Sequence, residues 1–156
     1  MYLGLGSNLG DSRSRLLDAL DRLARAGHVL RVSSFYRTDP VGHAAQPDFY
    51  NAVALLRVAV TPEELLRELR AIEIEMGRLP RIRNGPREID LDILDFAGLV
   101  RPGPDPVLPH PRLSERRFVL QPLNEIAPEW RHPVTGWTAG RMLEDLPAKP
   151  GVTRVS

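Results

Sequence analysis

Apolar and polar residues alternate with a period of two in some stretches of this chain and recur every three to four residues in others, and the switches between the two patterns mark its elements. MYLGLGSN (1–8) begins as a short apolar strand and runs into a glycine turn. Asp11 or Ser12 is placed to cap a helix whose apolar stripe is Leu16, Leu17, Leu20, Leu23 and Ala24, with Gly27 at its end. HVLRVSSFYRT (28–38) predicts a second strand and FYNAVALLRVAV (49–60) a third. Thr61 and Glu64 form a capping box around Pro62, and the helix they start runs to about Met76, where Gly77 stops it. A further strand spans 87–96, and shorter helices are expected over 115–126 and about 138–145.

Strand, helix, strand, strand, helix, strand is the split βαβ order of a ferredoxin-like α/β sandwich, an α+β fold with an antiparallel sheet and two helices on one face. DPVGHAAQPD (39–48) and GRLPRIRNGP (77–86) hold too much Pro and Gly for regular structure and have the length of functional loops. No repeat or linker divides the chain, so residues 1–156 read as a single domain. That fold serves many activities and settles none of them.

Composition narrows the field mainly by exclusion. Hydrophobic residues make up 42% and charged residues 26%, ordinary for a globular chain of 156 residues, and the formal net charge of +1 gives no reason to expect nucleic acid as a partner. With no cysteine there are no disulfides and no thiolate metal ligands. No apolar run approaches membrane-spanning length and the N-terminus has no signal-peptide zones, so a cytoplasmic protein without a membrane partner is expected. Lys149 is the only lysine, which excludes a Walker-type phosphate loop and makes every other side-chain cation in the fold arginine or histidine. Arginine grips phosphate as a planar fork.

Within REIDLDIL (87–94), Glu88, Asp90 and Asp92 share one face of the expected strand and Ile89, Leu91 and Ile93 the other. Same-face neighbours lie about 6.5–7 Å apart, so the carboxylates repel unless a cation stands between them. Mg²⁺, which needs few protein oxygens when water and phosphate complete its shell, meets that need. Arginine pairing on a solvated face is the other reading. Arg78, Arg81, Arg83 and Arg87 flank the acids, and Arg112, Arg116 and Arg117 follow soon after. Metal-holding acids among arginine forks are what a polyphosphate requires.

LGLGSNLGD is not a dinucleotide fingerprint, because Leu9 stands where the third glycine belongs. A turn with close backbone packing, in which Ser7 and Asn8 bond locally, is expected instead. Phe49 and Asn51 share a strand face, and an aromatic plane beside an amide suits a flat heteroaromatic ring, though a core Phe with a turn-bonded Asn has the same pattern. PHPRLSERRF adds His110, Arg116 and Phe118. His28, His43 and His132 lack metal-ligand spacing and read as surface residues. An RNA-binding sheet would need a K/R-G-F/Y motif, and none occurs.

RNGPREIDLDIL resembles the signature of the 6-hydroxymethyl-7,8-dihydropterin pyrophosphokinases, folate-pathway enzymes that transfer pyrophosphate from ATP to a pterin alcohol. LGLGSNLGD, SSFYRTDPVG, QPDFYNAVALL, IEIEMGR and LPHPRLSERRFVLQPLNEIAPE carry the resemblance across residues 1 to about 130. It implies that Asp90 and Asp92 hold a pair of Mg²⁺ ions on the ATP phosphates. It implies too that Arg78, Arg87, His110 and Arg116 surround the triphosphate and that Glu73 lies near the nucleotide. Asn51 would read the pterin edge, Phe49 and Phe118 would sandwich the ring, and the backbone of Thr38, Pro40 and Val41 would complete the pocket. The implied enzyme is a monomer acting on ATP and the pterin. Three positions depart from the pattern: Phe49 replaces a familiar tyrosine, Asn84 replaces a tryptophan in a loop one residue shorter, and Pro111 follows His110 where an aromatic is common.

Overall fold

Leu3 and Leu5 point to one side of the first strand, β1 (Tyr2–Ser7), while Gly4 and Gly6 point to the other, and the whole molecule is layered about that division. The computed structural model describes residues 1–39, 47–78, 87–148 and 151–155. Asp11 caps α1 (Ser12–Arg22) through the Ser14 N–H, and β2 (His28–Val32), β3 (Tyr36–Thr38) and β4 (Phe49–Arg57) follow. The capping box of Thr61 and Glu64 closes on both sides at the start of α2 (Pro62–Glu75). Then come β5 (Asp90–Asp95), α3 (Arg117–Ile126), α4 (Ala139–Glu144) and β6 (Val152–Arg154). The strands form one antiparallel sheet in the order β5-β1-β4-β3-β6, with β2 also paired to β4.

The ferredoxin-like core is as expected, but the sheet is covered on both faces. Leu16, Ala19 and Leu23 of the α1 region pack with Leu65, Leu69 and Ile72 of α2 against Leu3, Leu5, Leu91 and Ile93. On the opposite face Val119, Leu120 and Leu123 of α3, with Met142 of α4, pack against Val53 and Leu94. Leu17, expected in the α1 stripe, is 48% exposed, and Ala19 takes the buried position.

The stretch 28–38 is two strands rather than one. Ser33 donates its N–H to the Val53 carbonyl and accepts the Val53 N–H on its own hydroxyl (2.9 Å each), while the Ser34 N–H turns to the Glu125 carboxylate on α3 (3.1 Å). A side chain replaces a rung of the ladder, and the strand breaks there. The acidic strand starts at Asp90 rather than 87, because the Arg87 backbone bonds to Asn8 instead. Strand β6 was not expected at all.

Candidate functional site

The acids on β5 divide as the alternation predicts. Asp90 and Asp92 open onto the α3 face, while Leu91 and Ile93 lie beneath α1 and α2. Glu88 precedes the strand and is buried, only 7% exposed, so it is no part of a solvated face. Burial, and after it the charge of Asp92, push the Asp90 carboxyl up to about 6 against the pull of the Arg78 guanidinium. Both causes penalise the ionised carboxylate, a penalty that added positive charge beside the pair would offset.

Helix α2 supplies the framework behind the pair. Strand β5 is an edge of the sheet, and the outward N–H and carbonyl of Leu91 are bonded by side chains: Glu73 Oε2 accepts the N–H (2.7 Å) and Arg70 donates to the carbonyl (3.0 Å). These two α2 residues stand in for a neighbouring strand and cover the edge. At the end of α2, Gly77 adopts φ +91°, and the Arg78 N–H bonds back to the Glu73 carbonyl (3.0 Å). That turn brings Arg78 between two acids, 2.8 Å from Glu73 Oε1 and 3.0 Å from Asp90 Oδ1. Arg70 lies 2.6 Å from Glu73 Oε1 and 3.7 Å from Asp92 Oδ1. Glu73 is 2% exposed and committed to these partners, so its reach toward any ligand runs through the two arginines. Arg70 was missed in the sequence; its only signal was the Arg-x-x-Glu spacing on α2.

The cleft in front of the acids encloses about 470 Å³. Gly4 and Gly6 form its floor, between the acidic strand and β4: Gly4 pairs with Asp92 and Val53, Gly6 with Asp90 and Asn51. This is the physical reason for the glycines of LGLG. Asn51, 5% exposed, donates Nδ2 to Thr38 Oγ1 (3.1 Å), a bond across the sheet rather than within a turn. Phe49 and Phe118 both line the cleft, and Arg116 stacks its guanidinium 5.5 Å from the Phe118 ring centre. Arg87 and Arg112 line it as well. Burial and the neighbouring Arg112 lower the Arg116 pKa, with Asp92, Asp90 and Glu115 opposing them only in part, so a bound anion would favour that cation further.

His110 donates its backbone N–H to the Leu94 carbonyl (2.8 Å), and its ring accepts the Arg112 N–H on Nδ1 (3.1 Å). The neutral ring therefore carries its proton on Nε2. Burial lowers its pKa, with Arg116 and Arg112 acting the same way and Asp92 opposing them. Arg117 also lines the cleft, but its guanidinium donates to the carbonyls of Leu143, Leu146 and Pro147 around the end of α4. Leu146, Pro147 and Val152 then complete the cleft wall, which no sequence pattern announced.

Ser7 makes the local contact expected, its Oγ 3.4 Å from Ser12 Oγ, but it and Asn8 also reach distant segments. Ser7 Oγ donates to the Glu88 carbonyl, and the Asn8 side chain reaches Pro47 and Arg87. His28 is exposed as expected, whereas His132 is half-buried against Trp130 and accepts the N–H groups of Val134 and Thr135. Pro40, Val41, His43, Arg81, Arg83, Asn84 and Lys149 lie outside the described residues.

The donor set fits Mg²⁺. Among the described residues no group of three or more His, Asp or Glu forms a closed metal cage. Two carboxylates on one strand face, one of them held up to about 6, leave the remaining positions to water and phosphate, as Mg²⁺ prefers.

Residues 2–128 match the family model of 7,8-dihydro-6-hydroxymethylpterin-pyrophosphokinase (HPPK). The chain belongs to this family. A 2-amino-4-hydroxy-6-hydroxymethyldihydropteridine pyrophosphokinase of Pseudomonas aeruginosa is 42% identical over 149 residues, 94% of this chain and 88% of the relative. The folic acid synthesis protein fol1 of Pneumocystis carinii is also 42% identical, over 147 residues, but the chain spans only 20% of that longer protein. Among solved structures, a Plasmodium falciparum HPPK-DHPS with pterin and p-hydrobenzoate aligns over 92% of this chain and 43% of its own, with a TM-score of 0.72 at 17% identity, a likeness of fold. The HPPK match ends at residue 128, so the wall formed by Leu146, Pro147 and Val152 lies beyond the matched region.

Proposed function

We propose that this chain transfers the terminal diphosphoryl group of ATP to the hydroxymethyl oxygen of 6-hydroxymethyl-7,8-dihydropterin, giving AMP and the pterin diphosphate for folate biosynthesis. One observation carries this reading: Asp90 and Asn51 pair with the same bare residue, Gly6, from opposite sides of β1. With strands about 4.8 Å apart, the two chemistries stand roughly 10 Å from each other. An acid pair suited to metal-bound polyphosphate and an amide suited to a flat ring thus share one cleft.

In this reading Asn51 and Thr38 address the donor and acceptor edge of the ring, and Phe49 and Phe118 supply its flat walls. Pro40 and Val41, outside the described residues, are assigned to ring binding by the family resemblance alone. Arg87 and Arg116 grip the phosphates, with Arg78 behind Asp90, Glu73 anchoring Arg78, and His110 beside Arg116. Asp90 and Asp92 hold Mg²⁺, as a pair of ions, which when bound offsets phosphate charge. The pterin oxygen attacks the β-phosphorus in line while the bond to the α,β-bridging oxygen breaks and AMP departs. The hydroxyl proton passes to phosphate or water. No side chain is assigned as general base, because positioning and electrostatics carry transfers of this kind.

We take the protein to act as a cytoplasmic monomer without nucleic acid or membrane partners. The net charge of +1 and the acidic strand disfavour nucleic acid as a partner. Among the described residues no helix is long and apolar enough to cross a membrane. Protein, ATP, Mg²⁺ and the pterin together should yield one AMP per pterin consumed. Formation of ADP, or AMP release that is unchanged when the pterin is omitted, contradicts the proposal.

A further inference from the structure

Asn8 sits just past β1 and is 1% exposed. Its Oδ1 accepts the Arg87 N–H (2.8 Å), its own N–H donates to the Arg87 carbonyl (3.0 Å), and its Nδ2 donates to the Pro47 carbonyl (3.0 Å). Pro47 precedes β4, the strand that carries Phe49 and Asn51. Arg87 lines the cleft itself and stands three residues before Asp90. One amide therefore grips both chain segments as they enter the site, one leading to the ring-binding strand and the other to the acids.

These bonds run to segments distant along the chain. Helix α1 is capped by Asp11, not by Asn8, so this side chain is not held in place by a helix terminus. The task needs a donor atom and a separate acceptor atom on a short stem, and among short side chains asparagine has that arrangement. Ser7 reinforces one arm by donating to the Glu88 carbonyl next to Arg87. We infer that Asn8 is a positioning residue for the reaction, fixing the ring-binding wall and the phosphate-binding arginine relative to each other. It does so in this way only if ring and phosphates lie as proposed above.

Two variants separate the arms. Asn8→Asp keeps an acceptor for the Arg87 N–H but loses the donor to Pro47 and sets a carboxylate oxygen against the Pro47 carbonyl. Asn8→Ala loses the side-chain bonds to Arg87 and Pro47. Calorimetry with 6-hydroxymethyl-7,8-dihydropterin and, separately, a non-hydrolysable ATP analogue with Mg²⁺ reads each arm. Asn8→Asp should lower pterin affinity fivefold or more with nucleotide affinity within twofold, and Asn8→Ala should weaken both ligands. Leu16→Val, beneath the opposite face of the sheet, controls for lost stability and should change neither affinity. If Asn8→Ala does not fold, Asn8→Asp alone decides. Affinities within twofold of wild type in Asn8→Asp, or equal losses for both ligands, overturn the positioning role. Failure of the wild-type protein to bind the pterin would instead overturn the functional proposal, so the two failures are distinguishable.

Discussion

Gly6 faces Asn51 across the β1–β4 ladder, and a Cβ placed on Gly6 would lie 2.9 Å from Asn51 Oδ1. The amide occupies space that any larger residue would claim. Gly6→Ala should therefore push Asn51 off Thr38 and lower pterin affinity about tenfold, in line with the roughly 1–3 kcal/mol of a tightly overpacked site. Gly4→Ala meets only the flexible end of Leu94, at 3.4 Å, and should cost less. Pterin titrations of the two variants compare them directly.

Asp92→Ala should nearly abolish turnover at saturating Mg²⁺ while leaving the metal-free protein at least as stable as the wild type. It removes the like charge that presses on Asp90, and gives up a long contact of 3.7 Å to a partly exposed Arg70 and the attraction of Arg116 and His110. Turnover assays and thermal melts without metal check both halves. Near-wild-type turnover would rule out the metal assignment.

Glu73→Gln keeps an acceptor for the Leu91 N–H but removes the buried charge facing Arg70 and Arg78. Both arginines are partly exposed, so the loss should fall below that of a fully buried pair, at about 2 kcal/mol in urea unfolding. Turnover should fall as well, because Arg78 loses its anchor beside Asp90.

Glu125 fastens α3 to the break between β2 and β3, accepting from the Tyr36 hydroxyl (2.6 Å), the Ser34 N–H (3.1 Å) and the Ser34 hydroxyl (3.0 Å). Burial alone would raise its pKa, but these bonds outweigh it and the carboxyl lies below its ordinary value of 4.5. An acid with a lowered folded pKa stabilises the fold above its unfolded value, and that contribution is lost as pH falls through the folded one. Glu125→Gln should thus cost about 1 kcal/mol at pH 7, after allowing for solvent screening, and progressively less below pH 4.5. Melts of the two proteins across pH 3–7 test the convergence.

The sequence made the strand–helix order and the acidic pair legible because period, caps and turn residues are local signals. Asp90, Asp92, Asn51 and Phe118 could be named from side-chain chemistry and family resemblance alone. What stayed hidden depended on distant partners. Asn8 looked like a turn residue because Pro47 and Arg87 lie far along the chain, and Gly4 and Gly6 looked like turn glycines because the strands flanking β1 are not visible in it. Arg70 and Glu73 gave no sign that they cover a sheet edge, and Arg117 looked like a phosphate ligand although it binds carbonyls at the end of α4. Strand β6 has only three residues, too few for a period to show.

We propose that one cleft holds two separable subsites, a flat-ring site at Asn51 and a polyphosphate site at Asp90 and Asp92. Calorimetry on Asn51→Leu, with the pterin and the ATP analogue titrated separately in the presence of Mg²⁺, separates them. Leaving buried edge groups of the ring unpaired costs about 1–3 kcal/mol each, so pterin affinity should fall tenfold or more while nucleotide affinity stays within twofold. Equal losses for both ligands, or no loss of pterin affinity, would contradict the account.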